Sequence, residues 1–204
     1  MNWLAHAFLS EPTPAFRLGN LLPDFLNATE LAALDPRFQS GIARHRWIDG
    51  FTDRHPVVRA SVQRFLPPYR RVAPVLVDVF YDHFLSASWP QYSRQPLSAF
   101  VSEVYQSFAP HQMHLPEWFG PVWRQMQVED WLGSYQDFAG LERTLGRMER
   151  RFRRRVDLVG GLAELKRHYA ALQTDFQQFF PELLAALPDA GVSRGNFAAT
   201  PASP

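Results

Sequence analysis

The amino-acid sequence predicts an all-α protein that folds as a single helical bundle. Apolar residues recur mainly at intervals of three and four, the spacing of one helix face, and alternating runs typical of strands are scarce. Hydrophobic residues make up 46% of the 204 residues, enough for one sizeable core. We find no internal repeat and no linker-like stretch. The sequence therefore predicts one domain over residues 1–187, followed by a disordered tail over 188–204 that is rich in small and turn-forming residues.

Prolines, glycines and polar caps mark the ends of the predicted helices. In the first half of the chain, the spacing predicts helices over residues 1–10, 18–26, 36–50, 56–65 and 69–88. Asp35 and Pro36 suit the start of the third helix, and Gly50 suits its end. Pro74 is expected to move the start of the fifth helix to about that point. In the second half, helices are predicted over residues 96–110, 117–126, 128–138, 139–155 and 157–186.

Composition and charge exclude several classes of protein. The chain has no cysteine, which excludes disulfides, thiolate metal sites and cysteine nucleophiles. Its net charge of +1 gives no global field for nucleic acid. The N-terminal segment lacks the features of a secretory signal, and no apolar run is long enough for a membrane span. A cytoplasmic protein without nucleic-acid partners is therefore expected.

Histidines and aspartates recur within the apolar helical segments of the first half. They are His6, Asp24, His45, Asp49, Asp78, Asp82 and His83. Helical spacing places His45 and Asp49 on one face, and likewise Asp78 and Asp82. Charged groups are costly to bury unless they are paired or bind a metal, and imidazole with carboxylate suits a divalent cation. Together these residues indicate a metal-dependent hydrolase. Taken singly, each could instead be a paired core group or a cap, such as Asp49 with Arg46.

Other catalytic patterns are absent from the sequence. It contains no glycine-rich phosphate loop, no G-x-S-x-G elbow and no H-E-x-x-H pair. Arg44 and Arg46 flank His45 and are candidates for contacting a substrate phosphate. A dense basic segment, residues 143–155, contains Arg143, Arg147, Arg150, Arg151, Arg153, Arg154 and Arg155. We interpret it as a docking patch for an acidic protein or a phosphate group, the alternative being a solvated helix face.

Five blocks of the chain resemble the acyl carrier protein phosphodiesterase family. They read MNWLAHAFLS, LGNLLPDF, GIARHRWIDGFTDRHPVVR, RRVAPVLVDVFYDHFLS and HYAALQTDFQQFFP. The resemblance implies an all-α fold of the HD-type metal-dependent phosphohydrolase class. It implies removal of the 4'-phosphopantetheine arm from holo acyl carrier protein, with a divalent cation, typically Mn²⁺, while Fe²⁺, Mg²⁺ and Zn²⁺ stay open. The acidic carrier protein would dock on the basic segment.

The same resemblance implies a set of site residues. The metal ligands would be His6, Asp24, His45, Asp82 and His83, and the last four of these would also be catalytic. Asp49 and Asp78 are second-tier candidates. Position and charge, rather than the resemblance, give the substrate-binding candidates Arg44, Arg46, Arg150, Arg151 and Arg154. The adjacent pair reads Asp82-His83, the reverse of the His-Asp order of the HD class, so the individual roles stay open. Two other functions also stay open, namely a phosphohydrolase of a nucleotide or other small phosphoester and a non-enzymatic helical binding module.

Overall fold

A computed structural model describes residues 1–150 and 156–188 as an all-α fold, as predicted. Within these ranges there is no β-strand. The helices are α1 Trp3–Phe8, α2 Pro14–Leu21, α3 Ala28–Ala33, α4 Gln39–Arg54, α5 Pro56–Gln63, α6 Ala73–Ala87, α7 Trp89–Tyr92, α8 Leu97–Gln106, α9 Phe119–Val128, α10 Phe138–Glu149 and α11 Leu162–Ala186. Short 3₁₀ turns connect several of them, including Leu22–Asp24, Pro36–Phe38 and Gly133–Gln136.

Helix α6 is the centre of the bundle. Its sequence is apolar on nearly all sides, which is typical of a helix that is enclosed by others. Leu76, Val77 and Phe80 are fully buried, and α1, α5, α10 and α11 all contact this helix. Aromatic rings of α11 pack on its far end, where the ring centroids of Phe84 and Phe176 lie 6.0 Å apart. The N-terminal half of α6 lies beside the start of α1, where the Met1 amino group donates to Asp78.

Several helix boundaries differ from the predicted ones because of local caps. The second helix begins at Pro14 rather than residue 18, since Thr13 Oγ1 accepts a hydrogen bond from Phe16 N. Helix α3 was not predicted, and it is started by a capping box between Asn27 and Glu30. The helix predicted over 128–138 is absent: between the end of α9 at Val128 and the start of α10 at Phe138, the only helical element is the turn Gly133–Gln136.

Other predictions agree with the structure or fall outside it. Helix α6 begins at Ala73, so Pro74 does mark its start. Helix α4 does not end at Gly50 but continues to Arg54. The helix predicted over 139–155 is observed as α10, and its residues 151–155 lie outside the described ranges. Residues 189–204, which contain nearly all of the tail that was predicted to be disordered, also lie outside them.

Two glycines allow α2 and α4 to cross at close range. A Cβ atom at Gly19 would collide with the carbonyl oxygen of Phe38, and one at Gly41 would collide with that of Phe16. The backbones can therefore approach only because both residues lack a side chain. This crossing places Asn20 of α2 directly beside His45, one turn beyond Gly41 on α4.

Candidate metal centre and adjoining cleft

Two histidines and one aspartate from α1 and α4 meet beside α2, on which both helices pack. Asp49 Oδ1 lies 3.1 Å from His6 Nε2, and Asp49 Oδ2 lies 3.1 Å from His45 Nε2. The two imidazole rings are stacked, with centroids 4.1 Å apart. One ligand atom from each of the three residues lies within 4.8 Å of the others. Within the described residues, this is the one group of three or more such side chains that is close enough to share a cation.

Asn20 fixes the orientation of both imidazole rings. Its side-chain Oδ1 lies 3.1 Å from His6 Nδ1, and its backbone oxygen lies 2.8 Å from His45 Nδ1. Its amide nitrogen donates to the carbonyl oxygen of His6 and to Ser10 Oγ, so the oxygen of the amide must face the ring. Each Nδ1 therefore carries the proton, and each Nε2 presents its lone pair toward Asp49.

The Nε2 atom of His6 is an unsatisfied buried nitrogen. The side chain is 1% exposed, and this nitrogen makes no hydrogen bond to the described residues although Asp49 Oδ1 is near. With the proton on Nδ1, this nitrogen and Asp49 Oδ1 are two acceptors that face each other, so the contact cannot be a hydrogen bond. A buried nitrogen lone pair without a donor costs free energy, which a cation bound between His6, His45 and Asp49 would remove.

The electrostatics of the cluster favour a charged carboxylate. Burial raises the pKa of Asp49, but its contacts with His45 and His6 outweigh burial and leave the pKa well below its usual range. Burial lowers the pKa of His45, but the contact with Asp49 and the charge of Asp24 outweigh it and raise the pKa overall. Asp49 is thus an anion at neutral pH, as a metal ligand must be.

Asp24 connects this cluster to an open cleft. Its Oδ1 lies 3.9 Å from His45 Nε2, and its side chain is exposed. It is held there by the 3₁₀ turn that follows α2, where Pro23 precedes it. The cleft has a volume of about 210 Å³ and is lined in part by Asn2, Trp3, Asp24, Val75, Asp78 and Met148. Asp78 of the second-tier prediction lies in this cleft and accepts from the Met1 amino group at 2.8 Å.

The structure does not bring Asp82 and His83 to the cluster. Both carboxylate oxygens of Asp82 accept backbone N–H groups at the start of α1, from Asn2 at 3.0 Å and from Leu4 at 2.8 Å. Both ring nitrogens of His83 are also occupied, Nδ1 by the carbonyl oxygen of Tyr135 and Nε2 by the hydroxyl of Tyr169. In this arrangement Asp82 caps α1, and His83 joins α6 to the turn at Tyr135 and to α11.

The predicted arginines also separate into different environments. Arg44 is buried, and its guanidinium donates to the carbonyl oxygens of Leu9 and Pro188, so it holds the backbone instead of facing the cluster. Arg46 is exposed on α4. Arg147 of the basic segment points inward and donates to Thr144 Oγ1.

The rest of the basic segment is only partly described. Arg143 and Arg150 are exposed at α10, whereas Arg151 and Arg154 lie outside the described residues. Within its described part, residues 143–150, Arg147 does not contribute to the surface, because it is 7% exposed and lies over the ring of Trp131.

Asn20 is a residue of the candidate site that the sequence analysis missed. It is a fully buried amide among the leucines of α2, and a polar residue in such a setting needs partners. That signal is present in the block LGNLLPDF, but an amide is a poor ligand for transition metals and does not stand out as a site residue. Its contribution is to orient two imidazoles at once rather than to bind the cation itself.

A helical bundle with two imidazoles and carboxylates beside an open cleft fits the class of metal-dependent hydrolases. The family model described as "Acyl carrier protein phosphodiesterase" matches residues 1–183. The chain belongs to the acyl carrier protein phosphodiesterase family.

Relatives of that name cover nearly all of the chain. The protein of Photorhabdus laumondii is 36% identical over 188 residues, which is 90% of this chain and 93% of the relative. That of Serratia proteamaculans is 34% identical over 190 residues, 93% and 98% of the two chains. That of Escherichia coli O157:H7 is 37% identical over 186 residues, 91% and 96% of the two chains.

No solved structure matches the chain, so the resemblance to the HD class stays a prediction. In the described part of the molecule, no helix combines the length and the apolar run that a membrane crossing requires.

Proposed function

We propose that this protein hydrolyses the phosphodiester that joins 4'-phosphopantetheine to acyl carrier protein. The observation that carries the proposal is family membership over residues 1–183, combined with a His6–His45–Asp49 cluster that opens into a cleft through Asp24. Water would add to phosphorus while the bond to the serine oxygen breaks. The products are a carrier-protein serine hydroxyl and the phosphomonoester 4'-phosphopantetheine.

His6, His45 and Asp49 would hold a divalent cation, for which we propose Mn²⁺. When bound, such a cation supplies Lewis acidity toward a phosphoryl oxygen and lowers the pKa of water. Asn20 keeps both imidazoles in the tautomer that presents Nε2. This donor set of two nitrogens and one carboxylate suits Mn²⁺, Fe²⁺ or Zn²⁺.

Asp24 and Arg46 are the residues that we assign to the substrate side of the cluster. Asp24 is exposed, and its Oδ1 can accept the proton of an attacking water at the mouth of the cleft. Arg46 lies three residues before Asp49, on the same side of α4, and makes no ion pair with any described residue. Its guanidinium is available to offset the charge of a phosphoryl group.

Exposed arginines at α10, the helix that contributes Met148 to the cleft, support a protein substrate. Met148 of α10 lines the cleft, and Arg143 and Arg150 are exposed on either side of it in sequence. An acidic carrier protein would therefore find positive charge on the same helix that lines the cleft for its prosthetic group. We propose these arginines, together with Arg151 and Arg154 of the same segment, as the docking residues.

Intact mass analysis tests the proposed reaction directly. The protein is incubated with holo acyl carrier protein and Mn²⁺, and the carrier is expected to lose the mass of 4'-phosphopantetheine. His45→Ala should abolish this loss, whereas His168→Ala should retain it, because His168 pairs with Glu164 on α11, outside the cluster. Both variants should keep the helical circular dichroism of the parent protein.

The same assay separates the two other functions that the sequence leaves open. Release of phosphate from nucleotides or other small phosphoesters, with no change in the carrier protein, would identify a small-molecule phosphohydrolase. A protein that binds no Mn²⁺ and leaves both kinds of substrate intact would be a binding module, and the proposal would be wrong.

A further inference from the structure

The cleft beside the metal cluster has the chemistry of a specific ligand subsite. Its walls combine apolar surface, from Trp3, Val75 and Met148, with polar groups from Asn2 and Asp78. Pockets of this composition bind organic ligands by packing and use a few polar groups to fix the orientation. The cleft adjoins the cluster through Asp24, which lines the cleft and whose Oδ1 lies 3.9 Å from His45 Nε2.

An unused donor points to a polar ligand atom. Asn2 Oδ1 accepts from Trp3 N at 2.8 Å and so caps α1. Asn2 Nδ2, by contrast, has one partner among the described residues, the sulfur of Met148 at 3.9 Å. A thioether is a weak acceptor, so this buried amide nitrogen keeps donor capacity for a carbonyl or hydroxyl oxygen in the cleft.

The walls of the cleft are built on well-supported elements. Val75 and Asp78 lie one turn apart on α6 and therefore face the cleft together. Trp3 is held by stacking on Phe25, with ring centroids 5.4 Å apart, and on Trp131, at 5.2 Å. Binding surfaces on packed helices lose little conformational entropy when a ligand arrives.

We propose that this cleft binds the pantoyl end of 4'-phosphopantetheine while the phosphate lies at the cluster. The inference rests on the proposed function and specifies which part of the prosthetic group the enzyme recognises. The pantoyl unit carries two geminal methyl groups, one hydroxyl and one amide, next to the phosphate. Its methyl groups match Trp3, Val75 and Met148, and its oxygens match Asn2 Nδ2.

Binding of 4'-phosphopantothenate, measured by calorimetry on the manganese-loaded protein, tests the inference. This ligand has the pantoyl unit and the phosphate but no thiol and no carrier protein. Val75→Trp and Met148→Trp fill the cleft from two different helices, and each should weaken its binding about tenfold or more. Binding of inorganic phosphate should stay unchanged in both variants, because phosphate requires only the cluster.

Matched controls replace exposed residues of the same types. Val128 is 80% exposed and Met113 is 95% exposed, so Val128→Trp and Met113→Trp should bind 4'-phosphopantothenate like the parent protein. Because the chain has no cysteine, Met148→Cys provides a second measurement. Alkylation of this single thiol should slow when 4'-phosphopantothenate is present, whereas alkylation of Met113→Cys should not.

The inference and the proposed function fail in different ways. Parent-like binding of 4'-phosphopantothenate by both tryptophan variants would overturn the pantoyl subsite even if the carrier protein is hydrolysed. The same conclusion would follow if saturating ligand gave the thiol of the Met148→Cys variant no protection. Failure to release the prosthetic group from holo carrier protein would overturn the function, whatever the binding data show. Should a tryptophan variant not fold, the protection experiment still decides.

Discussion

The partner of Nε2 decides which buried histidines of this protein can bind a metal ion. In His6 and His45 the protein occupies Nδ1 and directs Nε2 toward Asp49. In His83 the protein occupies both nitrogens, so no lone pair is left for a ligand. The sequence shows all three as histidines in apolar helices and cannot separate them, since the partners come from residues 14 to 86 positions away.

Removing Asn20 is expected to weaken metal binding without removing a ligand. Asn20→Ala frees both imidazoles to rotate, and the loss of a group that orients a metal ligand typically reduces metal affinity about 10- to 100-fold. Titration with Mn²⁺, followed by calorimetry, measures the effect. Asn27→Ala is the control, because it removes the capping box of α3 and should leave the Mn²⁺ affinity unchanged. Equal affinity in both variants would contradict the role assigned to Asn20.

Asp82 is expected to make folding stability depend on pH. Burial raises its pKa to about 7, although the Met1 amino group and the amide hydrogens of α1 act in the opposite direction. The folded protein therefore holds this proton more tightly than the unfolded chain, whose aspartates titrate near their usual value of 3.8. The protonated Asp82 carboxyl group therefore contributes fully to the free energy of unfolding below about pH 4. This contribution is lost as the pH rises through the pKa of Asp82 in the folded protein, about 7.

Urea denaturation at several pH values between 5 and 8 measures this contribution. Because asparagine does not titrate, Asp82→Asn should remove part of the fall in unfolding free energy that the parent protein shows over this range. The slope is compared rather than the absolute stability, because the amide also changes the capping of α1. Identical slopes in the two proteins would show that Asp82 stays ionised throughout.

At the level of elements, the sequence alone does not show whether a glycine ends a helix or allows two helices to cross closely. The sequence pattern predicts a helix end at Gly50, but α4 passes through it to Arg54. Gly41 carries no such signal, yet it permits the contact with α2 that the site requires. Local caps explain the missed α3 in the same way, because Asn27 and Glu30 start a helix too short for periodicity to reveal.

Two alanine substitutions on α4 should therefore have opposite effects. Gly41→Ala places a methyl group against the backbone of α2, where no side chain can move aside, and should destabilise the protein by about 1–3 kcal/mol. It should also weaken Mn²⁺ binding, since His45 lies one turn away. Gly50→Ala meets only the guanidinium of Arg54, at 3.2 Å, which can shift.

Thermal and urea denaturation of the two variants check this expectation. Gly50→Ala should be neutral or stabilising by up to about 1 kcal/mol, since alanine loses less backbone entropy in a helix. A Gly41→Ala variant as stable as the parent protein would mean that α2 and α4 do not depend on the close crossing.

For the whole molecule, periodicity is sufficient to predict the fold class, and five sequence blocks are sufficient to identify the family. The arrangement of the site is not predictable in the same way. His6, Asp24 and Asp49 come from three separate elements, and the packing of α1 and α4 on α2 decides which of the candidates meet. From the sequence Asp49 is only a second-tier candidate behind Asp82, because nothing local shows that one faces the cluster and the other faces the start of α1.

Charge is the property through which the whole molecule is expected to select its partner. Reversal of Arg143 and Arg150 to glutamate should raise KM for holo acyl carrier protein and leave kcat nearly unchanged, because exposed charges at the edge of an interface act mainly on association. The effect should shrink as salt rises, since charges separated by more than about 8 Å are largely screened at physiological ionic strength.

Arg94→Glu is the matched control for this charge reversal. Arg94 is exposed between α7 and α8, and rings of these two helices, Trp89 and Phe100, pack on Phe8 at the opposite end of α1 from the cleft. If association depends on charge beside the cleft, this variant should retain the parent KM at low salt, whereas the double variant should not. An equal rise in KM for both proteins would show that net charge alone attracts the carrier, and that α10 is not its docking surface.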